Sequence, residues 1–219
     1  MFIGHFGVAF AAKKIAPQTS LGTLILAAQF SDFLWPVFLL LGIEHVRIAP
    51  GATRVSPFDF IDYPISHSLL MVVVWAMVFS AVYFARRRNL RSAVVVGVAV
   101  LSHWVLDMVV HRPDLQLYPG GRARVGLGLW NSWAASIAAE VFFFGAGLWI
   151  YARCTRARDN AGRYGFWAFA GFLFVGWIGT LFAGAPPNVT SIAWGGIAMW
   201  LTVPWGWLAD KHREVVHTS

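Results

Sequence analysis

Residues 102–114 read SHWVLDMVVHRPD and close an apolar run that begins near residue 92. The run is long enough to cross a bilayer, for which a helix needs about 20 apolar residues. It nevertheless carries His103, Asp107 and His111 at four-residue spacing, and residues four apart share one face of an α-helix. The rest of the chain has the same character. Of 219 residues, 58% are hydrophobic and only 12% charged, and the mean hydropathy is +0.62. That is too apolar for an ordinary soluble domain and defines a polytopic membrane protein. The formal charge of +7 does not indicate a nucleic-acid partner, because the basic residues lie in short clusters between apolar runs and report topology. The single cysteine, Cys154, excludes an internal disulfide and a thiolate metal cluster.

Uncharged or nearly uncharged stretches run over residues 21–43, 66–85, 92–111, 127–152, 164–184 and 190–208, which predicts six transmembrane helices. The expected fold is an all-α membrane helix bundle forming one domain over residues 1–219. The apolar run from Phe2 to Ala12 is too short to cross and reads as a half-span or an interfacial helix. Its charges follow the apolar stretch, so it reads as part of the mature chain and not as a cleaved signal. Lys13, Lys14, Arg86, Arg87, Arg88, Arg91, Arg153, Arg156, Arg158, Arg163, Lys211 and Arg213 collect on one side; Arg47, Arg54, Arg112, Arg122 and Arg124 fall on the other. The positive-inside rule makes the first side cytoplasmic, with both termini there. The connections 44–65 and 112–126 then lie outside, and their Pro and Gly residues predict irregular, turn-forming loops.

An ionisable group inside a span costs several kcal/mol unless it is paired or faces a cavity. Counting about 1.5 Å of rise per residue from the basic clusters places His5, Asp32, His67, His103 and Asp107 in one layer, mostly in the outer half of the bilayer. His103 and Asp107, at i and i+4, could grip a metal ion, and zinc, manganese or iron would each accept such a mixed set. The plainer reading of His103 is a neutral histidine hydrogen-bonded between helices. Asp32 shares a face with Gln29, with Pro36 a turn beyond to bend the helix, and its carboxylate needs a cation or a structural partner. Beside His67, Ser66 or Ser68 is a candidate helix cap. His5 lies between Gly4 and Gly7, which would let another helix approach closely. Glu140 is the sole ionisable group of the fourth span and reads as a further ligand, a proton relay, or an acid hydrogen-bonded to a neighbour. His45 and His111 read as solvated histidines near the outer surface, or as accessory ligands or proton shuttles. His212 and His217 lie in a polar tail and receive no role.

The elements Gly4-His5, Asp32 after the first long apolar run, HSL at 67–69 and SHWVLD at 102–107 resemble, in order and character, the bacterial YdjM-like family. That family is described as LexA-regulated, inner-membrane-associated, metal-dependent hydrolases. Its pattern reads approximately GH, PDxDH, HRGxTHS, SHxxxD, and the resemblance extends to about Pro119, leaving the helices over 127–208 without a counterpart. It implies metal or catalytic roles for His5, Asp32, His67, His103 and Asp107, with His103 and Asp107 closest to the chemistry. Where the family has PDxDH this chain has SDFLW, so Leu34 and Trp35 stand at two ligand positions; Asp62 stands at the first His of HRGxTHS. Asp62 or His45 would have to replace what is missing.

The expectation is therefore an inner-membrane hydrolase with a divalent ion, its site opening outward, acting on a lipid-borne ester or phosphoester such as a phospholipid or polyprenyl phosphate. Arg112, Arg122 and Arg124 would hold the phosphate or rest on headgroups. The alternative is a transporter or structural subunit whose buried His and Asp residues bind an ion, relay protons or pair helices; haem ligation is a lesser option.

Overall fold

The computed structural model describes residues 1–216; His217 lies outside them. In chain order the elements are α1 (Ile3–Ile15), α2 (Leu21–Ala28), α3 (Phe30–Leu40), β1 (His45–Ile48), β2 (Phe58–Asp62), α4 (Leu69–Arg87), α5 (Leu90–Val110), β3 (Leu115–Gln116), β4 (Arg124–Val125), α6 (Trp133–Cys154), β5 (Thr155–Ala157), α7 (Asn160–Phe182), α8 (Val189–Ala198), α9 (Thr202–Lys211) and β6 (Arg213–Val215). The protein is an all-α helical bundle with a few short strands. Four helices, α4 to α7, are each long and apolar enough to cross a membrane, and α2 with α3, bent by 57°, forms either a broken fifth span or a re-entrant loop. Residues 190–208, expected as a sixth span, instead form two 10-residue helices, each too short to cross, so the described residues hold four or five candidate spans and not six. Here α8 and α9 are joined by a 3-10 turn over Met199–Leu201 in which the chain keeps right-handed helical dihedrals.

The bend in the first long span falls at Gln29, whose φ of −101° and ψ of 7° interrupt the helix, and not at Pro36 as the sequence suggested. Pro36 sits inside α3, where its ring packs so closely on α8 that a methyl group at Gly196 would overlap it. Because a proline lacks the N–H that would reach back four residues, the Asp32 carbonyl has no helical donor from that position.

Helix α1 is neither interfacial nor lipid-facing. Ile3, Phe6, Ala9 and Phe10 have no exposed surface, and α1 is packed among α2, α5 and α6. At about 1.5 Å per residue its 13 residues cover only about 20 Å, less than the hydrocarbon core. Enclosure solves the problem that length creates, since polar groups at its ends meet protein and not lipid. Contact with α6 depends on glycine: a side chain at Gly7 would collide with the backbone of Phe143 and Phe144, and one at Gly147 with the backbone of Gly7. Below this contact Phe10 meets Phe144, Tyr151, Phe166 and Phe169 at centroid separations of 5.8 to 6.3 Å.

The basic end is tied by a buried ion pair. Lys13 donates to Asp210 at 2.7 Å and to the Thr19 carbonyl at 3.0 Å; Asp210 also accepts from the Tyr151 hydroxyl at 2.7 Å and the Leu21 N–H at 3.1 Å. One carboxylate thereby joins α1, α2, α6 and α9. Strands β5 and β6 pair beneath it, and Arg213 lies over the Tyr151 and Phe166 rings. Asp159 caps α7, and the Gly162 N–H, with His212 beside it, holds its carboxyl below the usual range.

The opposite end carries the two long connections, and each contains a hairpin where irregular loops were expected. Strands β1 and β2 pair antiparallel, as do β3 and β4. The arginines there are largely occupied. Arg112 binds Asp59 and Asp114, and Arg124 donates to the carbonyls of Asp114 and Ile61. Tyr63 donates to Asp114 at 2.9 Å; burial, reinforced by that carboxylate, pushes its phenol well above its ordinary value. The first residue is enclosed too. Met1 lies inside the bundle at the level of Asp107.

Candidate metal centre

Four separate segments bring five side chains together. His103 and Asp107 project from the same face of α5, Asp32 from the first turn of α3, His5 from the first turn of α1, and His67 from two residues before the start of α4. Asp107 is the hub. Its Oδ1 lies 3.1 Å from His5 Nε2, and its Oδ2 lies 3.2 Å from His103 Nε2 and 3.7 Å from His67 Nε2. Asp32 Oδ1 lies 3.4 Å from His67 Nε2 and 3.5 Å from His103 Nε2. The set divides into two overlapping groups, His5–His103–Asp107 and Asp32–His67–His103, each with ligand atoms within 4.8 Å of one another. His5 and His103 stack face to face at 3.8 Å. All but Asp32 are buried.

The imidazoles are oriented from behind. His103 Nδ1 lies 2.8 Å from the Ala28 carbonyl, an acceptor only, so Nδ1 carries the proton and a neutral ring leaves a lone pair on Nε2. His67 Nδ1 lies 2.7 Å from Ser66 Oγ, and that hydroxyl donates to Glu44 Oε2 at 2.5 Å. The hydroxyl proton being committed to Glu44, it accepts from His67 Nδ1, which again frees Nε2. Glu44 is buried and also accepts the Ile65 and Ser66 N–H groups, each at 2.8 Å. Partners of this kind behind metal-binding histidines fix tautomer and ring direction, and losing one typically costs 10–100-fold in metal affinity. Ser66→Ala is expected to weaken divalent-ion binding by about that factor with the fold intact, read by competition with a chelator. An unchanged affinity would remove Glu44 and Ser66 from the site.

The donor set fits a divalent ion. His103 Nε2 and His5 Nδ1 are buried without a hydrogen-bond partner. Among the described residues no lysine or arginine pairs with Asp32 or Asp107; the cation the chain itself supplies is the Met1 ammonium, 2.5 Å from Asp107 Oδ1. Mixed imidazole and carboxylate donors at this spacing suit zinc, manganese or iron.

Other candidates fall elsewhere, and some correct the sequence reading. His45 and Asp62 pair with each other at 2.8 Å across β1 and β2 and are exposed, so neither replaces a missing ligand. Strand register, which the family alignment does not see, puts them on the hairpin. His111 is buried and not solvated: it bonds Asp114 at 2.9 Å and packs on Trp130 with centroids 4.2 Å apart. Glu140 is a helix cap, accepting the Phe2 N–H at 2.6 Å and the Gly4 N–H at 2.8 Å, where α1 leaves its first donors free. Ser68 starts α4 without capping it and donates instead to the Pro64 carbonyl. Trp35, at the family's histidine position, packs on Phe60 with centroids 5.5 Å apart. Sequence reasoning missed Glu44. Its one legible signal was a lone carboxylate closing an apolar span just before the β1 loop.

A cavity of about 760 Å³ adjoins the cluster, bounded by Asp32, His67 and Asp107 on one side and by α7 and α8 on the other. Fold and site together define a polytopic helical membrane protein with a buried His/Asp cluster compatible with a metal ion. The profile of the YdjM inner membrane protein family matches residues 2–211, and the chain belongs to that family. The match covers nearly the whole chain, including the last helices, where the sequence motifs had confined it to the N-terminal half. No curated protein and no solved structure matches.

Proposed function

We propose that the protein is a metal-dependent hydrolase working at membrane depth, with His5, Asp32, His67, His103 and Asp107 holding one or two divalent ions. One observation carries this reading: five ligand-type side chains converge in the bundle, and the two on α5 and before α4 have their Nδ1 atoms tied back so that Nε2 faces inward. A structural pairing of helices would not need a histidine nitrogen left without a partner. When bound, a zinc, manganese or iron ion supplies Lewis acidity beside the reacting bond.

The chain's own groups do the rest. Glu44 and Ser66 hold the His67 ring, Ala28 holds that of His103, and Glu140 anchors the turn that carries His5. Phe33 and Trp177, lining the cavity, limit water near the cluster. In ester hydrolysis water gives its hydroxyl to the acyl or phosphoryl group as the C–O or P–O bond breaks, and a proton to the departing oxygen. Asp107 and Asp32 are the carboxylates of the cluster that can take up such a proton.

Purified protein in mixed micelles is expected to hydrolyse a chromogenic ester or phosphodiester, to lose that activity to a chelator and to regain it with Zn, Mn or Fe. Ion flux in liposomes from a protein that binds no metal would instead favour a transporter. The basic end supports a cytoplasmic placement there, so the cluster opens outward. A cysteine replacing Arg122 should then react with impermeant thiol reagents in intact cells, and one replacing Asn89 should not; the reverse pattern would turn the site inward.

A further inference from the structure

The cavity is larger than ion coordination requires and falls within the size range of small-molecule sites. Its far wall comes from two membrane helices. Helix α8 packs on α3 and α7 on α9, which leaves a cleft between α7 and α8. Phe172 and Leu181 line it from α7 and Ile192 from α8, each with surface exposed to it. Gly176 and Gly195 face each other's side of the cleft with open space where a side chain would stand. The cleft reaches the lipid-facing surface, because Phe172 lines it and is half exposed. A cleft at this depth opens toward acyl chains, and its apolar wall suits a hydrocarbon chain better than a water-soluble substrate.

The polar rim belongs to the loop between β1 and β2. Arg54 lines the cavity and is exposed, and among the described residues it forms no ion pair. Arg47 and Arg112, by contrast, are both taken by Asp59. A guanidinium left free at the mouth of an apolar cavity matches a phosphate-bearing amphiphile.

We propose that the cavity is the binding site of a phosphate-bearing membrane lipid, which enters sideways between α7 and α8, lays a hydrocarbon chain along Phe172, Leu181 and Ile192, and presents its phosphate to Arg54. The site is a lipid site whether or not the cluster is hydrolytic; that the lipid is a substrate rests on the hydrolase reading.

The test is photolabelling in phosphatidylcholine vesicles containing a phosphatidic acid with a diazirine at the end of one acyl chain. Label should concentrate several-fold on residues 172–199 over the lipid-facing Met77 and Val78 of α4. Gly176→Trp, and separately Gly195→Leu, should bring it down to the α4 level with bound metal unchanged. Arg54→Gln should reduce labelling by phosphatidic acid to that given by a diacylglycerol carrying the same diazirine. Label on α7 and α8 no higher than on α4, or unaffected by either glycine variant, overturns the lipid site. Equal labelling by the two probes in wild type overturns the phosphate contact. Concentrated label in a protein without metal or hydrolysis overturns the hydrolase reading and leaves the lipid site standing.

Discussion

Asp107→Ala is expected to strip the protein of its divalent ion, taking metal content after gel filtration from about one ion per chain to below about a tenth. Three histidines and the Met1 amino group all lie against its two oxygens, and it is the buried one of the two cluster carboxylates. Without it, three imidazoles and Asp32 remain, Asp32 being the partly exposed member. Hydrolysis should vanish with the ion. His45→Ala and Asp62→Ala serve as controls, because that pair is satisfied within its hairpin, and both variants should retain wild-type metal. Elemental analysis decides. Full metal in Asp107→Ala, or metal that depends on His45, would remove the cluster from consideration.

Gly147→Leu is expected to be the most damaging single change outside the cluster. Any side chain there runs into the backbone of Gly7, which cannot rotate away as a side chain could. Overpacking in a tight core costs about 1–3 kcal/mol or more, and α1, enclosed on all sides, has little room to yield. Gly147→Ala should show a milder form of the same defect. The midpoint of thermal unfolding, followed by exposure of the buried Cys154 to a thiol-reactive dye, reads the loss. Because α1 carries His5 to within 3.1 Å of Asp107, Gly147→Leu that still folds should also bind metal more weakly. A variant with wild-type stability and metal would show that the α1–α6 contact does not set the site.

Hydropathy located α4 to α7 because length and apolarity are local properties of a span. It also put His5, Asp32, His67, His103 and Asp107 at one level, since helix rise converts sequence position into depth. Which side of each helix faces its neighbours is decided by packing, and there the sequence was silent. The Phe2–Ala12 run looked like a half-span or an interfacial helix because it is too short to cross; the burial of α1 follows from a groove that Gly147 opens on a distant helix. His45 and Asp62 looked like substitutes for absent ligands until strand pairing matched them with each other. Glu44 was overlooked because its partners, the N–H groups of Ile65 and Ser66, lie 21 and 22 residues away along the connection that carries β1 and β2. The family match reaches residue 211 although recognisable motifs stop near Pro119. Ligands demand particular atoms, whereas a cavity wall such as α7 and α8 demands only shape and apolarity.

The enclosure of α1 also bears on how the chain is made. A helix too short to cross cannot be inserted as a span of its own, and its polar first turn, where Glu140 of α6 receives the Phe2 and Gly4 N–H groups, would be stranded in lipid. Helix α1 therefore reaches its final place only when α6, more than a hundred residues later in the chain, is there to receive it. His5 joins the cluster only through the docking of α1 against α6, which ties the completeness of the site to that one helix contact.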